Sequence, residues 1–339
     1  MLYDDFDIIV ADRQGEIYPV MAFGRGRERV TAALPAVPAG LLALLDRLAG
    51  RAWQTQTSSE AGEAGAALFR WLLPDRIETH FRLAWDRAGR AGRGLRLRLA
   101  LDPPEIAGLP WELLADPVRD HTFATAANTL LVRFLDQAED FGALAEPEVQ
   151  MPLAMLLVLP WAPDLDLARE YRLVIEATAP LAGALNIHVL DGIVTRDRLA
   201  ETLAATPYDI VHIGAHGGYV DGQGYLRLNL ANGAADWIDA GALANLCGQT
   251  RGLKLMVLNA CQSGRISREQ AFRGLAPQLI RAGVPAVVAM QYVLTDTSAL
   301  TFAREFYRQL CMGPRAGQVD VAVTHARSLL AALQPGVLA

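Results

Sequence analysis

Lysine is almost absent from this chain. Lys254 stands alone, and the rest of the positive charge is carried by arginine. With a formal net charge of −6 the sequence offers no basic surface for a phosphate backbone, so nucleic acid is not expected as a direct partner. Cysteine is scarce too: Cys247, Cys261 and Cys311 are too few and too scattered for a disulfide framework. None sits in a Cys-x-x-Cys, and the six histidines do not surround them at ligand spacing, so neither a metal site nor a cofactor is expected. No Walker motif occurs, and Gly222-Gln-Gly224 is followed by no strand-to-helix phosphate turn, which argues against nucleotide chemistry. No stretch reaches the ~18 apolar residues of a membrane span, so no membrane partner is expected. The opening Met-Leu-Tyr-Asp-Asp-Phe-Asp lacks the basic flank and apolar core of a signal peptide. A cytoplasmic, reducing location is the expectation, and it would keep a thiol available.

What the chain does have is apolar residues in quantity. They make up 52% of its 339 residues, enough for two well-filled cores or one large one. Phe6, Ile8 and Val10 alternate with polar neighbours, and Ile17, Pro19 and Met21 follow a Gly15 turn, so residues 5–22 read as two short strands. Helical spacing follows at 41–49 and across 62–89, with Pro74 as a break. Leu-Arg-Leu-Arg-Leu-Ala-Leu (95–101) alternates strictly and predicts a strand with an arginine-studded face. Leu-Pro-Trp-Glu-Leu-Leu (109–114) predicts a short helix, and another apolar run spans 128–135.

The acidic stretch 136–152 contains Pro147 and Pro152 and predicts a boundary near 150, dividing the chain into 1–150 and 151–339. Beyond it the rhythm is regular. Strands are expected at 155–159, 187–190, 209–214, 255–259 and 285–290. Helices are expected at 165–182, 196–205, 239–247, 270–281, 296–310 and 318–333. A Gly-rich insert at 217–233 carries a predicted hairpin at 225–230. Strands alternating with helices of this length mean an α/β fold with a mostly parallel sheet.

Two segments in this half share one design: Asp-Ile-Val-His-Ile-Gly-Ala-His-Gly-Gly (209–218) and Leu-Met-Val-Leu-Asn-Ala-Cys-Gln-Ser-Gly (255–264). Each is a short apolar run that stops at a reactive side chain. In a parallel α/β sheet the carboxyl ends of adjacent strands converge on one crevice. His216 and Cys261 delivered there can act as base and nucleophile. Position alone leaves Cys261 open to either reading, a reactive thiol or a small packing residue. Cys247 and Cys311 fall within helices and read as packing. His212 lies inside its strand and reads as a hydrogen-bonded core histidine. A cysteine phosphatase needs an arginine six positions after its cysteine, where this chain has Ser267, and no Gly-x-Ser-x-Gly elbow occurs.

At these two segments the sequence resembles the CHAT-domain family, relatives of caspases and separase. Further matching stretches are 101–114, Leu-Ile-Arg-Ala-Gly-Val-Pro-Ala-Val-Val-Ala-Met-Gln (279–291), Phe-Ala-Arg-Glu-Phe-Tyr (302–307) and Val-Asp-Val-Ala-Val-Thr-His-Ala-Arg (319–327). The resemblance implies a caspase-like three-layer α/β/α sandwich in 151–339, preceded by a degenerate caspase-like half in 1–150. It implies a cysteine endopeptidase with a His216–Cys261 dyad and an oxyanion site from the backbone N–H groups of Gly217 and Cys261. It implies a protein or peptide substrate, latency until a regulatory partner acts, and a role in bacterial regulated proteolysis or defence. Asp296 and Asp221 are the candidate anions for a basic substrate side chain, with helix N-capping as the plainer role for Asp296. The chain departs from the family at its end, Gln334-Pro-Gly-Val-Leu-Ala, where members carry a Trp/Pro-containing strand. The competing expectation is an interaction scaffold that keeps the residues without using them.

Overall fold

The structure is a computed structural model that describes residues 1–339 except 27, 50–57, 136–148, 221–222, 248–251, 260–267, 290–294 and 334–339. Two units divide the chain, one of Met1–Phe141 with Asp320–Ala339 and one of Gly142–Val319. The C-terminal helix is thus grouped with the first unit, whereas a boundary near 150 counts it with the second half.

In the first unit, strands β1 (Tyr3–Val10), β2 (Ile17–Gly24), β3 (Arg29–Pro35), β4 (Gly94–Leu101) and a later strand, Thr129–Phe134, form one sheet. Its order is β3-β2-β1-β4 and then that later strand, with β1 parallel to β4 and antiparallel to β2. The strands expected over 5–22 leave out β3, whose Arg-Val-Thr-Ala-Ala-Leu-Pro alternates but buries only Leu34 fully. The alternation in β4 sorts its side chains by face, as a period of two requires. Leu95, Leu97 and Leu99 are buried beside Phe6 and Ile8 of β1. The arginines of the other face lie in register with acids, Asp5 against Arg96 and Asp7 against Arg98. Arg98 reaches Asp7 at 3.0 Å, and Arg96 reaches Asp320 at 2.7 Å.

Helices α1 (Ala39–Ala49), α2 (Ser58–Leu72) and α3 (Asp75–Arg90) follow β3, and Pro74 caps α3 where the break was predicted. Phe69 from α2, Phe81 and Trp85 from α3, and Phe123 form an aromatic cluster with Phe69 and Phe123 stacked at 6.0 Å. The expected short helix at 109–114 is instead the helical turn α4 (Pro104–Ala107) followed by a single 3-10 turn, Trp111–Leu113. Pro110 lacks the N–H that a longer helix could use, and Trp111 fills the core while its indole N–H donates to the Ile106 carbonyl at 2.8 Å.

Asp116 is fully buried and receives both Arg82 guanidinium nitrogens, at 2.8 and 3.1 Å, together with the Val118 N–H at 2.9 Å. Burial pushes this carboxyl up, but the Arg82 and backbone hydrogen bonds outweigh it and hold it below the usual carboxylate range. A carboxyl depressed in the folded state contributes stability that is present above its unfolded value and lost as pH falls through the folded one. Asp116→Asn is therefore expected to cost about 1 to 2 kcal/mol at pH 7, because Arg82 loses its buried partner and keeps only Glu78, at 2.6 Å. Urea unfolding at pH 7 and again below about pH 4 checks this, since the gap from wild type should narrow in acid.

The second unit holds a fully parallel sheet. Numbering the Ala115–Asp116, His121–Thr122 and Thr129–Phe134 strands as β5, β6 and β7, its members are β8 (Leu153–Pro160), β9 (Leu185–Gly192), β10 (Ile210–Gly214), β14 (Leu255–Asn259) and β15 (Val287–Ala289). They run in the order β15-β14-β10-β8-β9. The connections contain α5 (Leu167–Thr178), α6 (Arg196–Ala205), α7 (Ala240–Cys247) and α8 (Arg268–Arg281), and α9 (Asp296–Met312) follows β15. On one face Val158, Val211, Ile213 and Leu258 join Leu199, Leu243 and Leu279 in a single apolar cluster. On the other, His212 meets Tyr307 of α9 and Gly214 meets Glu170 of α5.

The predicted hairpin at 225–230 is larger than expected. It is an antiparallel sheet of β11 (Gly217–Val220), β12 (Gln223–Asn229) and β13 (Ala235–Asp239). Glycines hid β11, since glycine carries no alternation to read, while β13 lies beyond the insert. The last helix, α10 (Val319–Leu333), follows α9.

Candidate functional site

The candidate site lies where the parallel strands stop. Gly214 ends β10 opposite Asn259, the last residue of β14, and Ile213 lies opposite Val158 near the end of β8. Beyond Gly214 the chain stays tied to β14, because the Ala215 N–H donates to the Asn259 carbonyl at 3.2 Å. His216 follows and is 8% exposed. Its Nε2 lies 2.8 Å from Oδ1 of Asp164, in the turn after β8. The Asp164 side chain is 55% exposed, so the imidazole is buried while its carboxylate partner opens to water. A carboxylate on Nε2 selects the tautomer with its proton there and leaves Nδ1 as an acceptor.

The insert sheet fixes the other side of His216. The Arg227 N–H of β12 donates to the His216 carbonyl at 2.9 Å. The next pair, Gly217 opposite Leu226, is therefore a step without ladder hydrogen bonds, and the Gly217 N–H points away from β12.

Beneath the strand ends sits a buried polar cluster. Glu170 is 2% exposed and accepts from the Asn259 side-chain amide at 2.5 Å. Gly214 makes room for it, because a Cβ at 214 would come within 3.0 Å of Glu170 Cγ. His212 Nδ1 lies 2.6 Å from the Tyr307 hydroxyl, as expected of a core histidine, while its Nε2 has no hydrogen-bond partner among the described residues. Burial pushes His212 down to about 4, so it is neutral at pH 7.

Cys247 and Cys311 are both buried, as packing residues should be. Burial pushes their thiols up to about 12 and about 11, far from the thiolate a nucleophile needs. Cys261 and Asp221 lie outside the described residues. Asp296 is the first residue of α9, but the cap is its predecessor: the Thr295 hydroxyl accepts from the Ser298 N–H at 3.2 Å. The N-cap role expected for Asp296 thus falls to Thr295, whose extended backbone suits that position. Sequence reasoning missed Asp164. Its proximity to His216 follows from the pairing of β8 with β10, which the sequence alone does not set.

Among the described residues no helix is long and apolar enough to cross a membrane. No curated protein matches the chain. A family model described as the CHAT domain matches residues 62–335.

Proposed function

The chain belongs to the CHAT-domain family, a caspase-like peptidase family, and on that premise we propose that it is a cysteine endopeptidase working through His216 and Cys261. The observation that carries this reading is the Asp164–His216 hydrogen bond at the shared end of three parallel strands, one of which leads directly into Cys261. With the Nε2 proton held by Asp164, Nδ1 is the nitrogen that takes the Cys261 proton. The thiolate attacks the scissile carbonyl, and the same nitrogen returns the proton to the departing amine, leaving an acyl-enzyme for water to hydrolyse. The N–H groups of Gly217 and Cys261 receive the oxyanion; the outward turn of the Gly217 N–H favours that role.

The reading extends to the architecture. The second unit is the three-layer α/β/α sandwich, and the first is the degenerate caspase-like half without reactive residues. Asp296 and Asp221 are the anions that would select a basic substrate side chain. The enzyme acts in the cytoplasm on protein substrates, in bacterial regulated proteolysis or defence, and stays latent until a regulatory partner engages it.

The test is covalent labelling of the full chain with a peptide acyloxymethyl ketone, read by mass spectrometry at Cys261. Labelling is expected in the wild type, none in Cys261→Ala, and little in His216→Ala. Equal labelling of all three proteins would remove the dyad. A wild type left unlabelled even with its activator bound would favour the scaffold. Mapping the new protein N-termini produced by wild type against Cys261→Ala then identifies substrates.

A further inference from the structure

Arg227 meets its carboxylate partner only at long range. Its side chain is 13% exposed and its Nε is buried without a hydrogen-bond partner among the described residues. Its ion pair is with Oδ1 of Asp164, at 4.0 Å, while His216 holds the same oxygen at 2.8 Å. Other arginines of this chain saturate a carboxylate with two short bonds. Arg133 reaches Glu112 at 2.7 and 2.9 Å, and Arg196 reaches Asp236 at 2.7 Å through two nitrogens. Burying a guanidinium without satisfying it is unfavourable, so Arg227 is poorly placed as a stability device. Its backbone N–H meanwhile anchors the His216 carbonyl at 2.9 Å, which puts one residue in touch with both members of the pair.

We propose that Arg227 is a positioning residue: its charge keeps the half-exposed Asp164 carboxylate turned toward His216, and so keeps the proton on Nε2 and Nδ1 free. The proposal rests on the peptidase reading only for its consequence at Cys261. Among the described residues, the other charged or titratable groups around β10 are Glu170 and His212, on the α5 and α9 side of the sheet under Gly214 and against Tyr307, and Asp209, which precedes the strand and is paired with Lys254 at 2.6 Å. Glu170 is engaged there by Asn259, and His212 is neutral at pH 7. Among the described residues, Asp164 and Arg227 are thus the charged pair at Nε2 of His216.

The experiment uses the full chain labelled with ¹⁵N-histidine, with the tautomer of His216 read by NMR near pH 8. Wild type is expected to show a protonated Nε2 and a bare Nδ1. Arg227→Gln should shift His216 toward a mixture of tautomers, and Arg227→Lys should restore the wild-type pattern. Arg227→Met, which keeps the buried stem and drops the charge, replaces the glutamine variant if that one is unstable. In parallel, alkylation of Cys261 by iodoacetamide should slow about 5-fold in the charge-removed variant, the scale of a partly screened charge contact. An unchanged tautomer in the charge-removed variant overturns the proposal, as does a lysine variant that behaves like it. A changed tautomer with an unchanged alkylation rate upholds the positioning role and instead defeats the His216–Cys261 pairing.

Discussion

His216→Ala is expected to cleave a substrate on the order of 10²- to 10⁴-fold more slowly than wild type, the usual span for losing a positioned acid–base group. The loss should fall on kcat, because the imidazole moves protons and does not hold the peptide. Asp164→Asn leaves the volume unchanged but removes the charge that selects the Nε2–H tautomer. Its expected loss is smaller, about 10- to 100-fold, with the fold intact. Steady-state kinetics on a peptide taken from the mapped cleavage products, with circular dichroism as the folding control, measures both. Wild-type turnover in His216→Ala would end the acid–base assignment. Wild-type turnover in Asp164→Asn would make that carboxylate a bystander.

The largest expected change in stability comes from a glycine of the first unit. Gly65 lies inside α2 where the helix crosses the 3-10 turn at 111–113, and a Cβ there would come within 2.0 Å of the Leu113 carbonyl oxygen. That oxygen is backbone and cannot swing aside, so Gly65→Ala must push the helix off the turn that seats Trp111. We expect a loss of about 3 kcal/mol or more, despite alanine's better helix propensity. Gly62, one turn earlier in the same helix, has nothing within 4 Å of where a Cβ would stand. Gly62→Ala should therefore stabilise by about 0.5 to 1 kcal/mol. Chemical denaturation of the two variants reads the pair, and changes of the same sign would show that helix propensity, not the close approach, governs this surface.

These two sites differ in how far they were legible from the residues alone. His216 was visible because apolar runs such as Ile210–Gly214 announce strands, and a parallel sheet gathers the residues just past each strand end along one edge. The alternation of helices and strands in the second unit was legible for the same reason: period and length are local properties. Asp164 was not singled out, since its partner lies 52 positions away and nothing local to Pro-Asp-Leu-Asp says which acid faces a histidine. Gly65 gave no warning either. Its neighbours read as an ordinary amphipathic helix, and the carbonyl that forbids a side chain there belongs to a turn folded against it from 48 residues onward in the chain. The sparsely buried β3 and the glycine-rich β11 failed differently, because a strand with little to bury leaves little trace in composition.

The grouping of α10 with the first unit has a bearing on how the protein is made. Asp320 reaches Arg96 at 2.7 Å, and Arg327 approaches Glu112 at 4.0 Å, so partners separated by most of the polypeptide meet in one unit. A ribosome emits β1 through β7 first, then every strand and helix of the second unit, and the completing helix last. The unit whose synthesis begins before the other's is therefore completed after it, and until α10 emerges Arg96 and Glu112 lack their partners there.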